Sequence, residues 1–288
     1  MLKINAYAKI NLFLDIEGIR DDGFHNIVSY MQTVSLCDTL TLEKTESEIE
    51  IIGNAGVPTE SDLCYKAARA FLDEYKIRGG VKITLEKRLP MQGGLGGGSA
   101  DAGATLRGLA RLYNVSVTNE ELAVLGQKLG SDVPFCTVGG SKLTYGRGEI
   151  LCDAPTLSSK LGIVIIAGKS GASTPAQFAA LDRMYDNFKG KRDSANAVSN
   201  LCRAIEKDDA ADICRNMYNI FEDTAAFDKE AVAYLIENGA LGGMMTGSGS
   251  SAFCLFDSFE SAERATQKLI QTGRKAFACT TVGDVDIY

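Results

Sequence analysis

Hydrophobic and polar residues alternate along the start of the chain. Ile4, Ala6, Ala8, Ile10, Leu12, Leu14 and Ile16 share one parity, while Lys3, Asn5, Tyr7, Lys9, Asn11 and Asp15 share the other, with Phe13 the apolar exception. Period two over this length predicts a half-buried β-strand. Lys9 and Asn11 then point the same way, about 6–7 Å apart along the strand. Asp21-Asp22-Gly23 reads as a turn.

The pattern then changes to helical spacing. Ser61 to Tyr75 carries Leu63, Ala67, Ala70 and Phe71 on one side, and Val81 to Leu85 returns to strand alternation. From Ser99 a second helix is predicted, with Ala102, Leu106, Leu109 and Tyr113 on one face. Thr118 and Glu121 fit a capping box ahead of the stripe Leu122, Leu125 and Leu129, with Gly130 as the stop. Asp132 falls at a junction entering another helix, with Pro134 in its first turn.

Residues 151–160 are irregular and mark an expected boundary between a domain over 1–155 and one over 156–288. Strands are expected over Ile163–Ala167, Ala252–Phe256 and Val282–Tyr288. Strands and helices mix without a regular βαβ repeat, which predicts an α+β fold.

Composition narrows the function. A formal net charge of −7 over 288 residues disfavours a nucleic-acid or membrane-surface binder, which needs a basic face. An anionic substrate would require local donors such as backbone amides. The eight cysteines contain no C-x-x-C pair, so neither a zinc site nor a redox motif is expected. The opening MLKINAYAKI lacks a charged-then-apolar leader, and no apolar stretch has the length of a membrane span. Free thiols in a reducing cytoplasm are the expectation.

The strongest chemical signal is Pro90-Met91-Gln92-Gly93-Gly94-Leu95-Gly96-Gly97-Gly98-Ser99-Ala100-Asp101. Glycines directly before a helix expose backbone amides, and the helix start adds free N–H groups and partial positive charge. Together these form a phosphate cradle. The segment is not a Walker A motif, because no Lys-Ser/Thr pair follows the glycines, and it does not fit the dinucleotide fingerprint. A second glycine cluster, Gly247-Ser248-Gly249-Ser250-Ser251-Ala252, fits G-x-G-x-x-A loosely but leads into a strand-like run. A dinucleotide site needs a helix there.

The glycine segment resembles the nucleotide loop of the GHMP superfamily of small-molecule kinases. Ala8-Lys9-Ile10-Asn11-Leu12 resembles the opening motif of that family's branch acting on a diphosphocytidyl derivative of methylerythritol. Asp22-Gly23-Phe24-His25, Ser131-Asp132-Val133-Pro134-Phe135 and Gly247-Ser248-Gly249-Ser250 resemble three further motifs of the branch, so the likeness spans nearly the whole chain. It implies a two-domain α+β fold, with an N-terminal domain like domain 2 of ribosomal protein S5 and a ferredoxin-like C-terminal domain. It also implies ATP as co-substrate with Mg²⁺, phosphorylation of the 2-hydroxyl in the non-mevalonate isoprenoid pathway, and a monomer or weak homodimer.

On the same basis Asp132 is the expected catalytic base and Lys9 its partner. Pro90, Gly93, Gly94, Leu95, Gly96, Gly97, Gly98, Ser99, Asp62 and Leu63 are the expected ATP contacts, with Ser99 a candidate Mg²⁺ contact. Asn11, Phe24, His25, Thr174 and Phe178 are expected at the second substrate, with Phe24 and Phe178 facing each other across cytosine. Taken singly, each has an ordinary alternative: a solvated strand lysine, a helix-capping aspartate, a structural histidine, core phenylalanines. Three positions depart from the branch or stand out in it. Asp62 stands where asparagine is common, Gln92 replaces a small residue, and Asp101 sits in the first turn of the phosphate-binding helix, where its side chain is expected to point away from the phosphates. The competing functions are a kinase of another alcohol, a catalytically silent nucleotide binder and an RNA-binding protein.

Overall fold

The structure is a computed structural model that describes every residue except 55, 92, 159, 169–172, 187, 189–192 and 286–288. Gln92 thus lies outside the described residues, as does the end of the strand expected over Val282–Tyr288.

β1 (Leu2–Ile19) and β2 (His25–Thr45) form a long antiparallel hairpin about the Asp21–Gly23 turn. The half-buried strand expected for β1 holds only at its start, because every residue from Ala8 to Ile16 is buried. Its supposed polar face is therefore an interior face. The same holds for β2 between Ile27 and Val34, where Ser29, Gln32 and Thr33 are buried among apolar residues. That double burial erases the alternation by which β2 could have been read.

β3 (Ile49–Ile52), α1 (Leu63–Glu74) and β4 (Gly80–Glu86) follow. β4 pairs with the distal half of β2, and β3 runs parallel to β4. α2 (Gly97–Tyr113) packs on the hairpin, with Gly108 directly over Leu42 and Ile4. α3 (Asn119–Gly126) opens with the expected capping box between Thr118 and Glu121, and ends a turn before Leu129. α4 (Val133–Val138) is followed by the β5 (Ser141–Tyr145) and β6 (Ile150–Asp153) pair, so the first part of the supposedly irregular 151–160 segment is strand.

The rest of the chain contributes β7 (Gly162–Ile166), α5 (Thr174–Met184), α6 (Ser194–Glu206), α7 (Ala210–Asn216), β8 (Tyr218–Asn219) and α8 (Lys229–Glu237). It closes with β9 (Gly242–Met245), β10 (Ala252–Phe256), α9 (Phe259–Gln271) and β11 (Ala276–Cys279). Four of these strands form a second sheet in the order β11-β7-β10-β9. β8 instead lies parallel to β1, extending the first sheet. Among the described residues the last strand is β11; beyond it Thr281 and Asp284 make single bridges to Val34 and Gly139, and residues 282–285 form no strand.

The architecture is α+β, as the mixed pattern predicts, and the largest apolar core runs from Ile4 to Cys279. All eight cysteines are free thiols. Among the described residues, no helix is long and apolar enough to cross a membrane.

Candidate active site

A cleft of about 630 Å³ opens between the start of α2, β1 and the loop after β9. Lys9 reaches it from the middle of β1, beside a register shift between Tyr7 and Lys9 in the pairing with β2. Its backbone N–H donates to Leu95 O at 3.1 Å, which ties β1 to the glycine loop. Its side chain is buried and runs under Gly96, where an added Cβ would sit 3.0 Å from Lys9 Cγ. Gly96 has φ +71°, a conformation costly for any residue with a Cβ.

Lys9 Nζ donates to Asn11 Oδ1 at 2.8 Å and lies 3.4 Å from Asp132 Oδ2. Asp132 occupies the cap position of α4 yet makes no capping bond with its side chain. Its carboxylate is part-exposed in the cleft and faces the lysine. The arrangement can therefore take up a proton at Asp132 beside a fixed positive charge. The expected pair of Lys9 and Asn11 on one side of the strand is met directly, because the two side chains are bonded to each other.

α2 starts at Gly97, two residues earlier than the pattern predicts, with Gly96 as its cap residue. Its first amides have no partner inside the helix and open onto the cleft. Pro90, Met91, Leu63 and the whole run from Gly93 to Ser99 line the same wall. Asp62 lines it too, but its Oδ1 accepts from Cys64 N at 2.7 Å and Tyr65 N at 3.3 Å, capping α1. Asp101 also lines the cleft, and its side chain turns to Lys87, which pairs as well with the fully buried Asp38. Burial pushes the Asp101 carboxyl up to about 7, against the pull of Lys87.

Thr174 and Phe178, at the start of α5, line the far end, where Thr174 and Ser248 share a hydroxyl hydrogen bond of 2.8 Å. His25 is buried and its ring stacks on Phe178 at 4.5 Å, while its Nε2 meets Asp182 Oδ1 at 2.7 Å. The sequence reading set Phe24 opposite Phe178, but the ring lying against Phe178 is that of His25. Phe24 is half-exposed at the hairpin tip, where Asp22 Oδ1 accepts its N–H, and the Arg147 guanidinium lies 4.9 Å over its ring. Arg147, not Phe24, lines the cleft.

The sequence reading missed several residues. Lys87 and Arg147, which line the cleft, and Asp182, which meets His25 beside it, come from segments that carry no motif. The turn after β9 was recognised as a glycine motif but given no role. It interlocks with the first glycine loop: Gly94 is so close that an added Cβ would lie 2.2 Å from Thr246 O. Gly247 N donates to Asn11 Oδ1 at 3.1 Å.

Among the described residues no group of three or more His, Cys, Asp or Glu could hold a metal. A Mg²⁺ ion that arrives with a nucleotide takes most of its oxygen ligands from phosphates and water, with one or two from protein. The Ser99 hydroxyl and the open Asp132 carboxylate on the cleft wall suit that limited role.

Comparisons with known proteins agree with this geometry. Residues 62–140 match the model for the GHMP kinases N terminal domain, and 199–275 that for GHMP kinases C terminal. A 4-diphosphocytidyl-2-C-methyl-D-erythritol kinase from Clostridium beijerinckii is 37% identical over 287 residues, covering 98% of this chain and 100% of that protein. One from Clostridium perfringens is 38% identical over 279 residues, 93% of each chain. The crystal structure of a 4-(cytidine 5'-diphospho)-2C-methyl-D-erythritol kinase superposes with a TM-score of 0.77 at 30% identity, covering 98% of this chain and 100% of that one. Methanococcus jannaschii mevalonate kinase superposes at 0.76 over 98% of each chain but is only 16% identical, a likeness of fold alone. The chain belongs to the GHMP kinases, and within them to the family of the 4-diphosphocytidyl-2-C-methyl-D-erythritol kinases.

Proposed function

We propose that this chain transfers the γ-phosphoryl group of ATP to the 2-hydroxyl of 4-diphosphocytidyl-2-C-methyl-D-erythritol, a step of the non-mevalonate isoprenoid pathway. The observation that carries the reading is the Lys9–Asp132 pair, 3.4 Å apart, beside the glycine loop and in the same cleft as Thr174 and Phe178. Asp132 accepts the proton as the hydroxyl oxygen attacks the γ-phosphorus and ADP departs. Lys9 stabilises the negative charge that shifts over the phosphoryl oxygens, the main demand of this chemistry.

ATP lies along Pro90–Ser99, with its phosphates on the first amides of α2 and its base near Asp62 and Leu63. Ser99 would be the chain's contact to a Mg²⁺ ion brought mainly by ATP, which would supply neutralisation of the phosphate charge. At the other end, Phe178 presents an aromatic face for the cytosine, backed by the buried His25 ring stacked on it, and Asn11 and Thr174 line the path of the methylerythritol and diphosphate. Arg147 supplies positive charge there, which answers how a chain of net charge −7 attracts an anion.

Two nucleotide subsites in one cleft make a testable claim. A ligand in hundredfold excess over its Kd stabilises the native state by about 2.7 kcal/mol. ADP and CDP should each raise the melting temperature, with combined effect when both are saturating. Phe178→Ala should remove most of the CDP shift and spare the ADP shift, since stacking on one base is worth about 1–3 kcal/mol. Competition between CDP and ADP for one site, or no CDP shift at millimolar concentration, contradicts the cytidyl subsite.

A further inference from the structure

We infer that Asn219 is a positioning residue for phosphoryl transfer, acting through Gly247 and Asn11 on Lys9; the inference rests on the kinase reading above. Asn219 is buried on β8, and its amide group is fully engaged. Nδ2 donates to Met245 O at 3.1 Å and Gly247 O at 2.9 Å, and Oδ1 accepts from Phe221 N at 3.0 Å. A primary amide has two donor hydrogens, so one is spent on the last residue of β9 and the other on the turn that follows.

The opposite side of that turn holds Asn11. Gly247 N and Lys9 Nζ both donate to Asn11 Oδ1, at 3.1 and 2.8 Å, and Thr246 Oγ1 accepts from Asn11 N at 3.0 Å. Asn11 Nδ2 donates to Ser29 Oγ at 2.8 Å, which fixes the other end of its amide plane. Gly247 is thus clamped by its carbonyl to Asn219 and by its N–H to Asn11. A carboxamide oxygen has two lone pairs, and in Asn11 one orients the Lys9 ammonium while the other is anchored by the turn, through Gly247 N and a longer contact of 3.5 Å from Thr246 Oγ1. Removing the Asn219 donors leaves two carbonyls in a buried setting without their partner, which costs free energy and releases the turn. Lys9 then loses the fixed acceptor that aims it at the transferring phosphate.

Asn219 also caps a short 3₁₀ turn through its Oδ1, so a purely structural role must be separated from the clamp. Asn219→Asp keeps that acceptor and the side-chain shape but replaces both donor hydrogens, while Asn219→Ser keeps at most one donor. The measurements are kcat and both KM values for these variants, for Asn11→Ala and for the Asn11→Ala/Asn219→Ser double variant, beside their melting temperatures. Expected is a kcat loss of roughly 10- to 100-fold in folded Asn219 variants, the range for a misplacement of about 1 Å at the reacting centre. The two KM values should stay close to those of the unmodified chain, since binding of the ground state is not what the clamp serves. The double variant should be no slower than the slower single variant, because both act on one element.

Unchanged kcat in folded variants, a loss that only follows the folded fraction, or multiplying losses in the double variant overturns the inference. Should neither Asn219 variant fold, hydrogen exchange at the Gly247 amide of the unmodified protein decides: core-like protection supports the clamp, and free exchange refutes it. Lack of turnover by the unmodified chain overturns the substrate reading instead, and the exchange measurement still decides the clamp.

Discussion

The Lys9 ammonium lies 3.4 Å from the Asp132 carboxylate although 123 positions separate them in sequence, and the same ammonium is held from the other side by Asn11 Oδ1 at 2.8 Å. Asp132 stands where a helix-capping aspartate is usual and does not cap. Lys9 is buried on a strand that has no exposed polar side at that point.

Asp132→Asn is therefore expected to separate catalysis from stability. Loss of a general base costs about 10²–10⁴ in rate. No capping bond is lost, so any fall in melting temperature comes from the part-exposed carboxylate's lost pairing with the buried Lys9 and not from a cap. Steady-state kinetics and thermal melts of the same preparation check both halves. Near-normal turnover in the folded variant contradicts the assignment.

Gly96→Ala tests how tightly the phosphate loop is fitted to Lys9. The left-handed conformation at this position costs a residue with a Cβ roughly 1–2 kcal/mol, and the new methyl would press on Lys9 Cγ from 3.0 Å. Both stability and kcat should fall, with kcat falling by more than the loss of folded protein accounts for. Chemical denaturation and kinetics measure the two. A variant with unchanged kcat places the lysine outside the reach of the loop.

The loop, the first strand, the Thr118–Glu121 capping box and the helix after Asp62 were legible in the sequence because each is set by neighbours within a few residues. β2 was not, because burial on both sides hides its period. The strand expected over Val282–Tyr288 is not seen in its described part; Thr281 and Asp284 instead bridge separately to Val34 and Gly139. In the candidate site, the motif residues Lys9, Asn11, Asp132 and Gly93–Ser99 meet in one cleft, whereas Lys87, Arg147, Asp182 and Asn219 carry no motif. Each of these depends on contacts with residues distant in sequence: Asp38 and Asp101, Phe24, His25, Met245 and Gly247. Phe24 is the reverse case, a motif residue whose ring lies at the hairpin tip against Arg147 and solvent.

Asp101 gives a pH dependence. Two carboxylates, Asp38 and Asp101, share the single Lys87 ammonium, and burial raises Asp101 to about 7. A carboxyl whose folded pKa lies above the unfolded value of about 4 holds its proton better when folded, so its contribution to stability is lost as pH rises between those values. Asp101→Asn removes that loss and leaves Lys87 paired with Asp38. Without nucleotide, the variant should be at least as stable as the unmodified protein at pH 8, and the difference should shift in favour of the unmodified protein on acidification towards pH 5. Melting temperatures across this range decide; an unmodified protein that gains its advantage only above pH 7 contradicts the charge balance described.

The central claim is most directly tested by ADP release under steady state with ATP, Mg²⁺ and a panel of alcohols: 4-diphosphocytidyl-2-C-methyl-D-erythritol, homoserine and mevalonate. The expected result is turnover with the cytidyl alcohol alone, one ADP per new phosphomonoester seen by phosphorus NMR, and loss of that signal in Asp132→Asn. ADP release with homoserine or mevalonate in place of the cytidyl alcohol, or with none of the three, would contradict it.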